Sequence, residues 1–252
     1  MPMIRFKEYI CPKTCKEAYE LVQKKSNIAV GGMLWVKMKK KNYNAVVDLK
    51  DLKLDYIREE KDCFKIGAMT TLRGLEKSPE LKKEYGDCFK EALGKIVGVQ
   101  FRNSATLGGS IYGRFGFSDV YTLFLAMGAK INLYSGGVVS LSEFSAYPRD
   151  YRDILTEVIL PKNIEKTAYM SLRNSATDFP VIACCICKRR GGVFAAVGAR
   201  PYLAEVIKVE DDMEEKIESL KYGSNIRAGA EYRKTIAKTL VKRCLNKAEE
   251  EI

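Results

Sequence analysis

Four glycines fall within the eighteen residues RNSATLGGSIYGRFGFSD, positions 102–119, and two of them, Gly108 and Gly109, stand side by side just after Thr106. A second pair, Gly31-Gly32, lies far upstream in NIAVGGMLW (27–35), again between an apolar strand-like run and a helix-like run. Glycine lacks a Cβ and tolerates positive φ, so backbone at these points can approach a ligand or another segment closely. One chain with two such loops implies one ligand held from two sides.

At 252 residues the chain can form one sizeable domain or two to three small lobes, and its 46% hydrophobic content suits a globular core. Its longest apolar run, Phe179 to Cys187 with a proline inside, falls short of the ~20 residues that span a bilayer. The start, MPMIRFKEYI, has no apolar signal segment. These features predict no membrane span and a cytoplasmic protein whose eight cysteines stay reduced.

A formal charge of +11 raises the question of nucleic acid. The lysines of KTIAKTLVKRCLNK (234–247) alternate with Ile236, Leu240, Val241 and Leu245, which places them on the solvated face of an amphipathic helix. That distribution argues against a nucleic-acid surface, although a basic face could dock an acidic partner.

Three parts are expected in an α+β chain: two α/β lobes and a C-terminal α+β lobe. Residues 1–54 read as a helix over 14–25 with Ala18, Leu21 and Val22 on one face, a strand at Ile28–Val30, a helix from Met33 and the strand NAVVDL. Residues 55–160 hold the strand FKIGAMT, two short helices over 71–99, the second glycine loop, the helix DVYTLFLAMGA and the strands KINLYS, GVVSL and ILTEVILP. Residues 161–252 give three strand-like runs, 167–174, 179–190 and 192–210, then helices over 212–221 and 230–247: a compact α+β lobe.

The chemistry is expected at the glycine pairs. Backbone N–H groups converging at the mouth of a helix can hold a pyrophosphate without cationic side chains. Thr106 and Ser110 could each add a hydroxyl donor. Asp119 suits the neutral hydroxyls of a ribose or ribityl chain, and the Ser118-Asp119 pair also suits an N-cap. Neither loop has the G-x-G-x-x-G spacing of an ordinary dinucleotide fold.

The stretch AVGGMLWVKMKKKNYNAVVDLKDL (29–52) resembles the first flavin loop of the FAD-binding subunits of molybdenum hydroxylases, and VGVQFRNSATLGGSIYGRFGFSDVYTLFLAMGAKINL (97–133) resembles their second. The segments 167–204 and 226–245 look like the C-terminal lobe of the same subunits, as in the xanthine and carbon monoxide dehydrogenase groups. The resemblance implies a vanillyl-alcohol-oxidase-like FAD fold: lobe one (1–54) and lobe two (55–160) with FAD between them, and a closing lobe (161–252). It implies Val30, Gly31, Gly32, Met33 and Leu34 as the first loop and Thr106, Gly109 and Ser110 as the second. Asp119 becomes the ribose-side carboxylate, and Leu155 an apolar neighbour of the flavin. Met33 replaces a small polar residue of the family pattern, and Met170 replaces a lysine found near the flavin in several relatives.

The implied task is electron transfer within an oxidoreductase, with no catalytic side chain of this chain's own. A large partner subunit would hold molybdopterin, a small one [2Fe–2S] clusters, and FAD here would pass electrons to NAD+ or another acceptor. Agreement comes from the absence of histidine and of ferredoxin C-x4-C-x2-C spacing. Only Cys63 and Cys88 lie in the middle lobe, so the four-iron cluster that some relatives carry there is not expected. Cys184, Cys185 and Cys187 read as core thiols of one strand, with Cys184 facing opposite to the other two. Arg102 and Asn103 read as braces of the loop, Trp35 as core packing, and Ile96 and Val97 either as helix core or as neighbours of the isoalloxazine. Two rivals remain: a stand-alone FAD reductase similar to UDP-N-acetylenolpyruvoylglucosamine reductases, whose serine and glutamate motifs are missing here, and a non-enzymatic basic nucleic-acid module.

Overall fold

Thr14 caps a helix at the point where the sequence places one, its hydroxyl accepting from the amide of Glu17 at 3.2 Å. In the computed structural model, which describes residues 4–250, that helix is α1 (Cys15–Gln23). It buries Ala18 and Val22 and half-buries Leu21 against Val47, Leu49 and Ile154. Beneath it β1 (Arg5–Ile10), β2 (Ile28–Val30) and β3 (Asn42–Asp48) form a parallel sheet in the order β1-β3-β2. Strand β1 is not visible as an alternating pattern because five of its six residues are exposed.

The expected helix from Met33 does not form. Met33 has φ of +58°, a left-handed conformation that an α-helix of L-residues cannot contain. Only a single 3-10 turn, Val36–Met38, follows.

The middle part is a five-stranded antiparallel sheet of β4 (Ile57–Glu59), β5 (Cys63–Gly67), β6 (Lys130–Leu133), β7 (Gly137–Ser140) and β8 (Leu155–Pro161), ordered β4-β5-β8-β6-β7. Seven short helices surround it: α2 (Leu72–Lys77), α3 (Pro79–Tyr85), α4 (Cys88–Leu93), α5 (Val99–Ser104), α6 (Leu107–Tyr112), α7 (Asp119–Ala126) and α8 (Leu141–Ser145). The two helices expected over 71–99 are three. Ser78-Pro79 restarts the chain as cap and first helical residue, and Gly86, at φ +65°, ends α3. Helix α7 is buried along its whole length, so it is the pillar of the main core.

The last part pairs β9 (Ile164–Leu172), β10 (Ile182–Arg189), β11 (Gly192–Gly198) and β12 (Glu205–Lys208) into an antiparallel sheet ordered β12-β11-β10-β9. The run 192–210, expected as one strand, breaks at 199–204. There the buried Arg200 turns back to the carbonyls of Val197 (3.1 Å), Leu203 (2.8 Å) and Lys221 (2.5 Å). One face of the sheet holds Cys184 and packs on α9 (Met213–Ser219) and α10 (Ala230–Glu250); the other holds Cys185 and Cys187 and joins the core around α7. The opposed facing of these cysteines is as expected.

Helix α10 is less of an open basic face than its sequence suggests. Lys234 and Lys238 reach Glu218 of α9 at 3.3 and 3.2 Å, Lys242 reaches Glu214, and Lys247 reaches Glu91. Much of this charge is met internally, which removes the main argument for a nucleic-acid surface.

Candidate functional site

The two glycine loops meet. A Cβ on Gly32 would lie 1.7 Å from the carbonyl oxygen of Ser104, and one on Gly31 would lie 2.5 Å from Thr106 Oγ1. On Gly108 it would collide with Ala68 at 2.8 Å. Three of these four glycines therefore exist so that loop one, loop two and the start of the middle lobe can touch. Gly109 differs: its Cβ would meet only Thr106 Oγ1, at 3.1 Å, and otherwise enter open space.

That space is a cavity of 610 Å³, within the range of about 300–1,000 Å³ usual for cofactor sites. All ten residues singled out from the sequence line it: Val30, Gly31, Gly32, Met33, Leu34, Thr106, Gly109, Ser110, Asp119 and Leu155. The loops contribute differently. In loop two the amides of Leu107 and Gly108 donate to Thr70 and Ala68, that of Ser110 donates to Thr106, and that of Gly109 is capped by Thr106 Oγ1 at 3.2 Å. Ser110 Oγ also donates inward, to the Thr106 carbonyl at 2.9 Å. In loop one the amides of Gly32, Met33 and Leu34 donate to no protein acceptor among the described residues. Successive amides ahead of a left-handed residue make an anion nest, so the φ of Met33 serves the site even though its side chain is not polar.

Ser118, not Asp119, caps α7, accepting from the amide of Tyr121 at 3.0 Å. This frees the Asp119 carboxylate, whose Oδ1 accepts from Arg173 at 2.5 Å and from the Tyr169 hydroxyl. Both partners sit at the C-terminal end of β9 or just after it, so the pair ties the third sheet to the mouth of the cavity. Neither contact uses Oδ2. Burial pushes the Asp119 carboxyl above its ordinary value, while Arg173 and Tyr169 pull it down. Asp119→Asn would leave the buried Arg173 without a counter-charge, and we expect a loss of about 3 kcal/mol, measured as a lower denaturation midpoint.

Arg102 is a brace, but of α2 and the segment before α5 rather than of the glycine loop expected. Its guanidinium pairs with Glu76 at 2.8 Å and donates to the Ile96 carbonyl at 3.1 Å, which holds the loop bearing Ile96 and Val97 against the cavity. Asn103 is exposed, and among the described residues its side chain makes no hydrogen bond. That loop is irregular, so the helix-core reading of Ile96 and Val97 does not hold. Trp35 is not core packing either. It lines the cavity within a cluster formed by Phe101, Phe115, Phe117 and Phe179, with ring centroids 5.4–6.0 Å from its own. Met170 faces away, into the core beneath α10. The sequence reading also missed Arg173 and Phe179; the only signal for either was an unexplained charge or ring in an otherwise polar loop, RNSATDF (173–179).

Two glycine loops from two α/β sheets, closed by a third sheet around one cavity, define the class of two-lobed FAD-binding folds. The fold is shared, over 98% of both chains, with the matching chain of a carbon monoxide dehydrogenase from Hydrogenophaga pseudoflava that lacks the Mo-pyranopterin moiety of its cofactor (TM-score 0.85, 23% identity). A quinoline 2-oxidoreductase from Pseudomonas putida 86 matches over the same shares at 0.81 and 18%. The family described as the FAD-binding domain in molybdopterin dehydrogenase matches residues 4–163, and the chain belongs to it. Among sequence relatives, the uncharacterized protein YgfM of Escherichia coli K12 is 25% identical over 183 residues, 71% of this chain and 68% of that one. The nicotinate dehydrogenase FAD-subunit of Eubacterium barkeri is 30% identical over 112 residues, 41% of this chain and 38% of that subunit. The resemblance seen in the loops and the fold it implied are thus borne out.

Among the described residues, no helix is long and apolar enough to cross a membrane, and no group of three or more His, Cys, Asp or Glu could hold a metal.

Proposed function

We propose that this chain is the FAD-binding electron-transfer subunit of a cytoplasmic molybdenum hydroxylase. Electrons would arrive from [2Fe–2S] clusters of a small partner subunit, after substrate oxidation at the molybdopterin of a large one, and leave to NAD+ or another acceptor. The observation that carries the reading is the single cavity onto which both glycine loops and all ten motif positions open.

FAD fits what the cavity wall offers: the open amides of Gly32, Met33 and Leu34 for a pyrophosphate, and the bare Gly109 beside them. FAD when bound supplies the redox chemistry, exchanging electrons with donor and acceptor. The residues of this chain bind and shield it. Thr106 Oγ1, already accepting from Gly109, keeps its own hydrogen to donate to a phosphate oxygen. Asp119 keeps Oδ2 to accept from a sugar or ribityl hydroxyl. Leu155, half-buried Trp35 and the phenyl rings around it exclude water from the apolar part of the site.

The test is the visible spectrum of the purified chain after incubation with FAD and gel filtration, alone and with co-expressed partner subunits. About one flavin per chain is expected. No flavin under either condition overturns the reading.

A further inference from the structure

We propose that the open edge of β1 is a docking site for an acidic, extended segment of another protein, which adds itself to the first sheet as a further strand. This surface does not depend on the flavin reading.

Strand β1 is bonded on one side, to β3, and among the described residues no strand pairs with its other side. The Arg5 amide donates to the Lys41 carbonyl at 3.4 Å, on the β3 side. Backbone groups alternate in direction along a strand, so Phe6 and Glu8 turn their N–H and C=O groups to the open edge. Neither face of the strand is covered. Every residue from Arg5 to Tyr9 is exposed, Phe6 at 41% and Tyr9 at 48%, and these two rings lie 6.4 Å apart. An edge with free backbone groups and bare aromatic rings is a template for one more strand.

The charge around this edge selects the occupant. Backbone bonds from Ile4 to the Lys37 carbonyl and from Arg5 to that of Lys41, both 3.4 Å, fasten the run 37–41 to the start of β1. Arg5, Lys7, Lys37, Lys39, Lys40 and Lys41 are all exposed, and none has a carboxylate partner among the described residues. Glu8 is the one carboxylate in 4–10 and 37–42. Of the acids further on, Asp48 is buried and accepts from the Tyr9 hydroxyl and the Lys50 amide, and Asp51 pairs with Lys13. An arriving strand with acidic residues at alternate positions would set them opposite Arg5 and Lys7, and Met38, 59% exposed among the lysines, adds an apolar contact. A second copy of this chain fits badly. Opposite residues of an antiparallel pair share a face, so the longest twofold registers of β1 against itself set Lys7 against Lys7 or Glu8 against Glu8. The lysines that bar self-pairing are thus the ones that favour an acidic strand.

The experiment titrates the full chain at low salt, by fluorescence anisotropy, with a labelled peptide alternating glutamate and valine, with its lysine–valine counterpart and with a single-stranded oligonucleotide. Amide exchange at Phe6 and Glu8 is followed with and without the acidic peptide. Two variants accompany the wild type. Arg5→Glu/Lys7→Glu reverses two exposed charges, and Glu8→Pro removes an outward amide while the β3 side stays bonded, a change that edge strands tolerate. The acidic peptide is expected to bind and the basic one not, each variant to weaken binding about tenfold or more, and both edge amides to exchange about tenfold more slowly in the complex. Should Glu8→Pro melt well below the wild type, the double variant decides. No binding of the acidic peptide, equal binding of the two peptides, or binding that the double variant leaves unchanged overturns the proposal. Binding of the oligonucleotide alone also overturns it, in favour of a nucleic-acid surface, and a wild-type dimer with protected β1 amides does so in favour of a second copy. None of these readouts involves flavin, so the flavin reading stands or falls separately.

Discussion

Gly109→Val leaves the chain folded and removes its capacity to hold FAD. The position sits in the first turn of α6, where a Cβ meets only Thr106 Oγ1 at 3.1 Å and the rest of the side chain enters the cavity. Replacing glycine in a helix lowers the entropy of the unfolded chain, so the melting temperature should shift by only a few degrees. Two methyl groups would stand in the cavity beside the open amides of loop one, where the proposed site holds the diphosphate, and a binding loss of a hundredfold or more is expected, roughly 3 kcal/mol. Titration by flavin fluorescence, beside a melting curve of the same sample, measures both. Full flavin binding by the variant would remove Gly109 from the site.

Gly32→Ala has the opposite signature. Its Cβ would overlap the Ser104 carbonyl at 1.7 Å, a backbone atom that no rotamer change can move. Loop one would have to part from loop two, and we expect destabilisation of about 3 kcal/mol, the upper end of the usual cost of overpacking, because the clash is with backbone. Chemical denaturation with and without FAD distinguishes the two glycines: the Gly32 variant unfolds earlier in both, whereas the Gly109 variant loses only the stabilisation that ligand adds. Wild-type stability for Gly32→Ala would mean that the two loops are not in contact.

Much of this was legible in the sequence because it rests on local chemistry. Strands such as FKIGAMT and ILTEVILP show their apolar residues, Thr14 and Ser118 show their caps, and the facing of Cys184 against Cys185 and Cys187 follows from the alternation of a strand. What failed was governed by long-range contact. The helix from Met33 yields to a left-handed residue in a loop that packs on Ser104 through Gly32, a contact the local sequence does not show. Strand β1 has no apolar pattern because it is an exposed edge. Trp35 looks like core until Phe101, Phe115, Phe117 and Phe179 arrive from three other segments and form one cavity wall with it.

The sequence by itself determined the family, the three-part α/β order and the two glycine loops, since backbone close approach demands glycine and leaves that demand written at fixed positions. Only the tertiary structure decided what each glycine is for. Gly31, Gly32 and Gly108 serve contacts between segments, and Gly109 is the one of the four whose Cβ would meet only Thr106 Oγ1 and otherwise enter the cavity. The same holds for charge: the lysines of α10 are answered by Glu214 and Glu218, and Arg173 at the cavity by Asp119, while Lys25, Lys39 and Lys41 have no carboxylate partner among the described residues. Whether a cation is spent or available depends on which carboxylates fold within reach of it, and that is a property of distance in space.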